Sequence, residues 1–153
     1  MKLLLVEDDE IKRTQLVSFI AEFLPQFKIE IAKSYQSGIK AIIDNDYRLI
    51  ILDMTMPTFD IGIDEYGGRP QAYAGREILQ QMDRREIKSP VIVVTQFDRF
   101  GEGKDKLTLA ELEEQLFNAH PNIYKGAIYY NTAVDSWKNQ LLQAINKCCE
   151  VED

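Results

Sequence analysis

The sequence has no long apolar run. Its longest, such as Leu3 to Val6 and Leu49 to Leu52, fall far short of the roughly 20 residues a helix needs to cross a bilayer, so no membrane partner is expected. It has no basic patch either. Lys and Arg are scattered in ones and twos, and the net charge of −7 repels a phosphate backbone, which argues against nucleic-acid binding. A leader is also missing: Met1-Lys2 runs straight into a strand-like stretch closed by Glu7-Asp8-Asp9, so no signal peptide is expected and the chain reads as cytoplasmic. Cysteine is scarce. Cys148 and Cys149 are adjacent, a spacing that rarely bridges, and reduced thiols suit the same compartment. The single histidine, His120 before Pro121, reads as a helix-end residue rather than a ligand or phosphodonor. Gly101 and Gly103 lack the Gly-Lys-Ser/Thr pattern of a nucleotide loop.

What is present is a regular alternation over 153 residues, read as one domain spanning 1–153. Lys2 to Val6 is a short apolar run of the kind buried on both faces of a parallel sheet. Ile11, Leu16, Phe19, Ile20 and Phe23 recur at helical spacing until Pro25. Lys28 to Ala32 reads as a second strand, and Ser34 as the cap of a helix carrying Ile39, Ile42 and Ile43. Arg48 to Asp53 is a third strand. Residues 54 to 73 look irregular, and Ala74 to Arg85 looks helical with Ile78, Leu79 and Met82 inward. Val91 to Thr95 is a fourth strand and Leu107 to Ala119 a helix. Ala127 to Tyr130 is a fifth strand and Ala133 to Cys149 a last helix with Trp137, Leu141 and Ile145 four apart. Five β–α units imply an α/β fold: a doubly wound, five-stranded parallel sheet with helices on both faces.

In such a sheet ligands bind at the C-terminal ends of the strands, near the switch point between the first and third. Asp8 and Asp9 follow the first strand there, and Asp53 ends the third. Three carboxylates together are costly unless a cation neutralises them. Few carboxylates with open positions suit Mg²⁺, which keeps waters and shares phosphate oxygens. Thr95 ends the fourth strand and can bring a hydroxyl to the same cluster. Asp53 is then a carboxylate nucleophile beside a metal, the arrangement that yields an aspartyl phosphate.

The runs Leu-Val-Glu-Asp-Asp-Glu (5–10), Ile-Ile-Leu-Asp-Met-Thr-Met-Pro (50–57) and Pro-Val-Ile-Val-Val-Thr (90–95) resemble the receiver domains of two-component response regulators. The resemblance spans nearly the whole chain. It implies a flavodoxin-like sheet of strand order 2-1-3-4-5. It also implies Asp53 as phosphoacceptor, Asp9 and Asp53 as direct Mg²⁺ ligands, Asp8 acting mainly through water, the Thr55 carbonyl as a further ligand and Thr95 as the switch hydroxyl. The partners it implies are a histidine kinase or phosphotransfer protein upstream and a protein target downstream; a homodimer stays open. No enzyme activity is expected beyond the chain's own phosphorylation and dephosphorylation, and no output domain is expected after the last helix.

The sequence departs from that family in three places. Receivers carry a Lys at the end of the fifth strand, where this chain has Tyr130 and then Asn131. Lys125 would reach the site only if that strand were shifted to Asn122–Lys125. Without the lysine, phosphorylation is expected to couple weakly to conformation. Second, residues 58 to 73 are an insertion before Gly75, with Phe59, Ile61, Ile63, Tyr66 and Tyr73 beside Asp60, Asp64 and Glu65, either a surface embellishment or a docking segment or lid. Third, Gln96 follows Thr95 where a small residue is usual. The alternative function is a pseudo-receiver, a binding module outside phosphorylation control. A flavodoxin-like electron carrier would need a Gly-rich phosphate loop where Glu-Asp-Asp stands. An Asp-x-Asp phosphatase would need a second acid where Asp53-Met54-Thr55 has none.

Overall fold

The computed structural model describes residues 1–60 and 71–149. Its elements in order are β1 (Lys2–Val6), α1 (Glu10–Phe23), β2 (Lys28–Ala32), α2 (Tyr35–Asp44), β3 (Leu49–Leu52), α3 (Ala74–Arg84) and β4 (Val91–Thr95). There follow β5 (Arg99–Phe100), β6 (Leu107–Thr108), α4 (Leu109–Ala119), β7 (Tyr124–Tyr129) and α5 (Ser136–Cys148). The main sheet runs β2-β1-β3-β4-β7 with every pair parallel. That is the expected 2-1-3-4-5 order, β7 being its fifth strand.

Strand side chains alternate between faces, and each face has its own core. Leu3, Leu5, Leu49, Ile51, Ile92 and Val94 pack with Leu16 and Ile20 of α1 and Trp137, Leu141 and Ile145 of α5. Leu4, Val6, Ile50, Leu52, Val91 and Val93 pack with residues of α2, α3 and α4, among them Ile42, Ile78, Met82 and Leu116. The short runs are apolar throughout because both faces are covered.

The structure also corrects the element boundaries. The stretch before α4 holds a two-stranded antiparallel hairpin, β5–β6. Tyr73 ties it to the third helix, its hydroxyl donating to the carbonyls of Phe100 at 3.0 Å and Asp105 at 2.5 Å. β7 starts at Tyr124, three residues before the expected Ala127. A register shift opposite Val91–Val93 absorbs the extra residue, and Gly126 makes it at φ +125°, a conformation side-chain-bearing residues rarely adopt. In α1 the expected Leu16, Phe19 and Ile20 are buried, but the two ends of the expected stripe are not. Ile11 is 65% exposed and Phe23 53%, whereas Lys12 is fully buried in line with Leu16, Phe19 and Ile20.

The insertion leaves and rejoins the fold at a bridge between Met56 and Gln71, where the Gln71 amide donates to Thr58 Oγ1 at 2.7 Å. Its residues Ile61, Ile63, Asp64, Glu65 and Tyr66 lie outside the described residues.

Candidate functional site

The alternation that fills the core builds the site. Glu7 continues the Leu3–Leu5 row, Asp53 the Leu49–Ile51 row and Tyr130 the Ile128 row, so all three extend the α1/α5 face at the C-terminal edge of the sheet. The backbone fixes them there: Asp53 N–H donates to the Val6 carbonyl at 3.2 Å, and Tyr130 N–H to the Thr95 carbonyl at 2.8 Å. The first turn of α1 crosses this edge and lowers Lys12 into it.

The Lys12 ammonium is fully buried. It lies 2.5 Å from Glu7 Oε1 and 2.9 Å from Asp53 Oδ2, and it donates to the Val94 carbonyl at 2.7 Å. Three donors therefore meet three acceptors. Burial works against the Lys12 charge, but the Asp53 and Glu7 carboxylates outweigh it and hold the amine above its ordinary value. Burial pushes the Glu7 carboxyl up to about 7, against the pull of Lys12. Asp53 is 3% exposed, and its other oxygen, Oδ1, accepts the Met54 N–H at 2.6 Å.

The sequence-level candidates are not all brought together. Asp53 and Thr95 are buried at adjacent strand ends, and Thr95 Oγ1 accepts the Phe97 N–H at 3.2 Å. Asp9, expected as a metal ligand, is the N-cap of α1: its Oδ2 accepts the Lys12 N–H at 2.8 Å, one of the helix's orphan donors. The acid beside Asp53 is Glu7, which had no assigned role. Asp8 lies between the two, and burial first, then the Asp53 charge among the lesser causes, raises its carboxyl. Thr55 is partly buried, and its hydroxyl donates to the Ala72 carbonyl at 3.2 Å.

Tyr130 is buried where the lysine was expected, and its hydroxyl bonds to Gln15 Oε1. Its ring centroid lies 5.9 Å from Lys12 Nζ, within reach of a cation–π contact, and burial raises its hydroxyl. Lys125 is exposed near the opposite, N-terminal end of β7, so the shifted strand that would bring it to the site does not form.

Among the described residues no group of three or more His, Cys, Asp or Glu side chains is placed to hold a metal ion. The expected trio Asp8, Asp9 and Asp53 does not gather as one such group. The Asp8 and Asp53 carboxylates and the Thr55 carbonyl are oxygen donors of the kind Mg²⁺ takes, since the ion is commonly held by one or two carboxylates and completed by water and phosphate oxygens.

Gly75 shapes the wall of the site. Its N–H donates to the Met54 carbonyl at 2.9 Å, and a Cβ there would stand 2.8 Å from the Asp53 carbonyl oxygen and 3.0 Å from Met54 Cα. α3 can thus start against the Asp53 backbone only with glycine at this position.

No family model matches the chain. Among curated proteins, it is 31% identical over 149 residues to the Detocs response regulatory protein DtcB of Enterobacter cloacae, covering 96% of this chain and 99% of that one. The chain belongs to the response-regulator family. This response regulator is also 34% identical over 146 residues to the uncharacterized protein y4jR of Sinorhizobium fredii, covering 94% and 96% of the two chains. Among solved structures, the receiver fold matches the response regulator TrrA of Thermotoga maritima, determined in complex with Mg²⁺ and BeF, at a TM-score of 0.61 and 16% identity over 94% of this chain and 97% of that one. No helix among the receiver's described residues is long and apolar enough to cross a membrane.

The sequence did hold a signal for Lys12. It falls at i, i+4, i+7 and i+8 with Leu16, Phe19 and Ile20, the spacing of a buried stripe. A lysine on such a stripe, one turn past an acidic strand end, calls for a buried carboxylate partner.

Proposed function

We propose that this receiver accepts a phosphoryl group on Asp53 from a phosphohistidine of a histidine kinase or phosphotransfer protein, and hands the signal to a protein target through its altered surface. The observation that carries this reading is the Asp53 carboxylate itself. It is buried at the switch point of the sheet, with one oxygen on the Met54 N–H and the other on an ammonium. Donors of that kind stabilise the charge that develops at a phosphoryl transition state.

In the transfer, the N–P bond of the phosphohistidine breaks and its electron pair stays on the imidazole nitrogen. An Asp53 carboxylate oxygen forms the new O–P bond. Asp8, Asp53 and the Thr55 carbonyl are the groups that would hold Mg²⁺, whose charge when bound offsets that of the incoming phosphoryl oxygens. Thr95 supplies the hydroxyl that turns toward the acylphosphate. The chain's catalysis is confined to this transfer and to hydrolysis of the acylphosphate, in which water takes the phosphoryl group, inorganic phosphate leaves and the Asp53 carboxylate is restored.

Intact-mass measurement after incubation with acetyl phosphate tests the assignment. A single phosphoryl increment is expected in the wild type and in Asp60→Asn, and none in Asp53→Asn. An increment that persists in Asp53→Asn would sink it.

A further inference from the structure

Resting on the reading of Asp53 as phosphoacceptor, we propose that Lys12, on the first helix, is the cation that binds the phosphoryl group, taking over the work that the family gives to a lysine on the fifth strand. Three independent observations converge on it. The Lys12 ammonium already bonds the Asp53 oxygen Oδ2 at 2.9 Å, so it touches the reacting carboxylate. It is fully buried, and no part of its charge is spent on solvent. The residue in the lysine's expected place, Tyr130, packs its ring 5.9 Å from that same ammonium.

The two substitutions make sense as a pair. A lysine at the end of β7 and a lysine at position 12 would direct two ammonium groups at one carboxylate, and the like charges would repel in a buried site. A tyrosine at the end of β7 does the opposite. It fills the volume a lysine stem would occupy and faces the incoming cation with the negative side of its ring. Its hydroxyl is turned away to Gln15, so it leaves the Asp53 carboxylate to Lys12. The cation therefore enters from the α1 side of the sheet edge, while the target at which it is aimed is unchanged.

The ground-state geometry leaves the ammonium in place for the product. When Asp53 Oδ2 or its neighbour oxygen carries the phosphoryl group, Lys12 exchanges its bond to the free carboxylate for one to a phosphoryl oxygen. The Glu7 and Val94 oxygens at 2.5 and 2.7 Å hold the ammonium at the site through that exchange. Lys12 stays protonated throughout and gives up no proton to the reaction.

Binding of beryllium fluoride in the presence of Mg²⁺, with hydrogen exchange in β4 and β7 as the conformational readout, provides the test. Lys12→Met leaves the buried Glu7 without its cation, so it is made both alone and with Glu7→Gln, and the Glu7→Gln single variant is the reference for the pair. A charge-assisted bond lost from the complex should weaken beryllium fluoride binding roughly ten- to a hundredfold. The exchange response should disappear, and adding Tyr130→Lys to the pair should bring both back to within a few-fold of the reference. Lys125→Ala should behave as the wild type. Beryllium fluoride binding and exchange in Lys12→Met/Glu7→Gln equal to those of Glu7→Gln would overturn the assignment while leaving Asp53 as acceptor. So would a loss that Tyr130→Lys does not repair in a variant melting like its reference, since Lys12 would then be scaffold only. A wild type that neither binds beryllium fluoride nor gains a phosphoryl increment would remove the acceptor reading, and this one with it.

Discussion

Lys12 is charged in a place that opposes charge, and its neighbours decide the balance. The Glu7 and Asp53 carboxylates hold its proton, so removing the amine strands two acids in a site shielded from water. Lys12→Met should therefore destabilise the fold by about 3–5 kcal/mol, the usual cost of breaking a buried pair from one side. Burial already disfavours the Glu7 charge and Lys12 opposes that effect, so Glu7→Gln removes a charge that has lost its cation. Lys12→Met/Glu7→Gln should recover at least half of the loss in urea denaturation. A pair as unstable as the single variant would mean that Glu7 contributes nothing to the strain. Asp9 acts on the helix instead. Its carboxylate caps α1, so Asp9→Ala should cost about 1 kcal/mol while Asp9→Asn, a comparable cap, stays near the wild type. A gain in stability from Asp9→Asn would show that repulsion among the acids outweighs the cap.

Elements place these residues, and they were legible in the sequence to the extent that they are long and buried. The five main strands followed from short apolar runs, because a strand covered on both faces leaves little freedom in its composition, and the sheet order followed from the receiver resemblance that three of those runs carry. The β5–β6 hairpin did not, since strands of two residues carry no period to read. The start of β7 was hidden by Lys125 and Gly126, which break the apolar run at a bulge. In the site, Asp53 and Thr95 were legible from their strand ends. Lys12 was not, because Ile11 drew the apolar stripe of α1 one position away and a lysine does not advertise a core position. Tyr130 lies just past the last main strand, but its meaning depends on α1, which is remote in sequence and packs on the same face. One junction between elements is tight enough to test. Gly75→Ala forces a methyl group against the Asp53 carbonyl oxygen at 2.8 Å, so α3 must move away from the end of β3. We expect a loss of roughly 1–3 kcal/mol from overpacking and slower phosphorylation of Asp53 by acetyl phosphate. Unchanged stability and rate together would mean that α3 shifts without disturbing the acid.

For the molecule as a whole, the site is an electrostatic balance struck within a chain of net charge −7. Lys12 pairs with both inner acids, Glu7 and Asp53, and offsets one of their charges, and Asp8 stands beside them with its carboxyl raised. A divalent cation at Asp8 and Asp53 would relieve the charge that remains, and a ligand that binds only the folded state stabilises it by mass action. At a hundred times its Kd, Mg²⁺ should add about 2.7 kcal/mol. For a chain of this size each kcal/mol raises the melting temperature by roughly 2–4 °C, so the expected rise is about 5–11 °C. The two readings of the acids separate here. If Asp8 and Asp53 hold the ion while Asp9 caps α1, the rise should vanish in Asp8→Asn and Asp53→Asn and persist in Asp9→Asn, measured by differential scanning calorimetry with Ca²⁺-free Mg²⁺. A rise lost in Asp9→Asn and kept in Asp8→Asn would restore Asp9 as a ligand. A wild type that melts at the same temperature with and without Mg²⁺ would leave Lys12 as the site's sole cation, and phosphorylation by acetyl phosphate should then proceed equally well in a chelator.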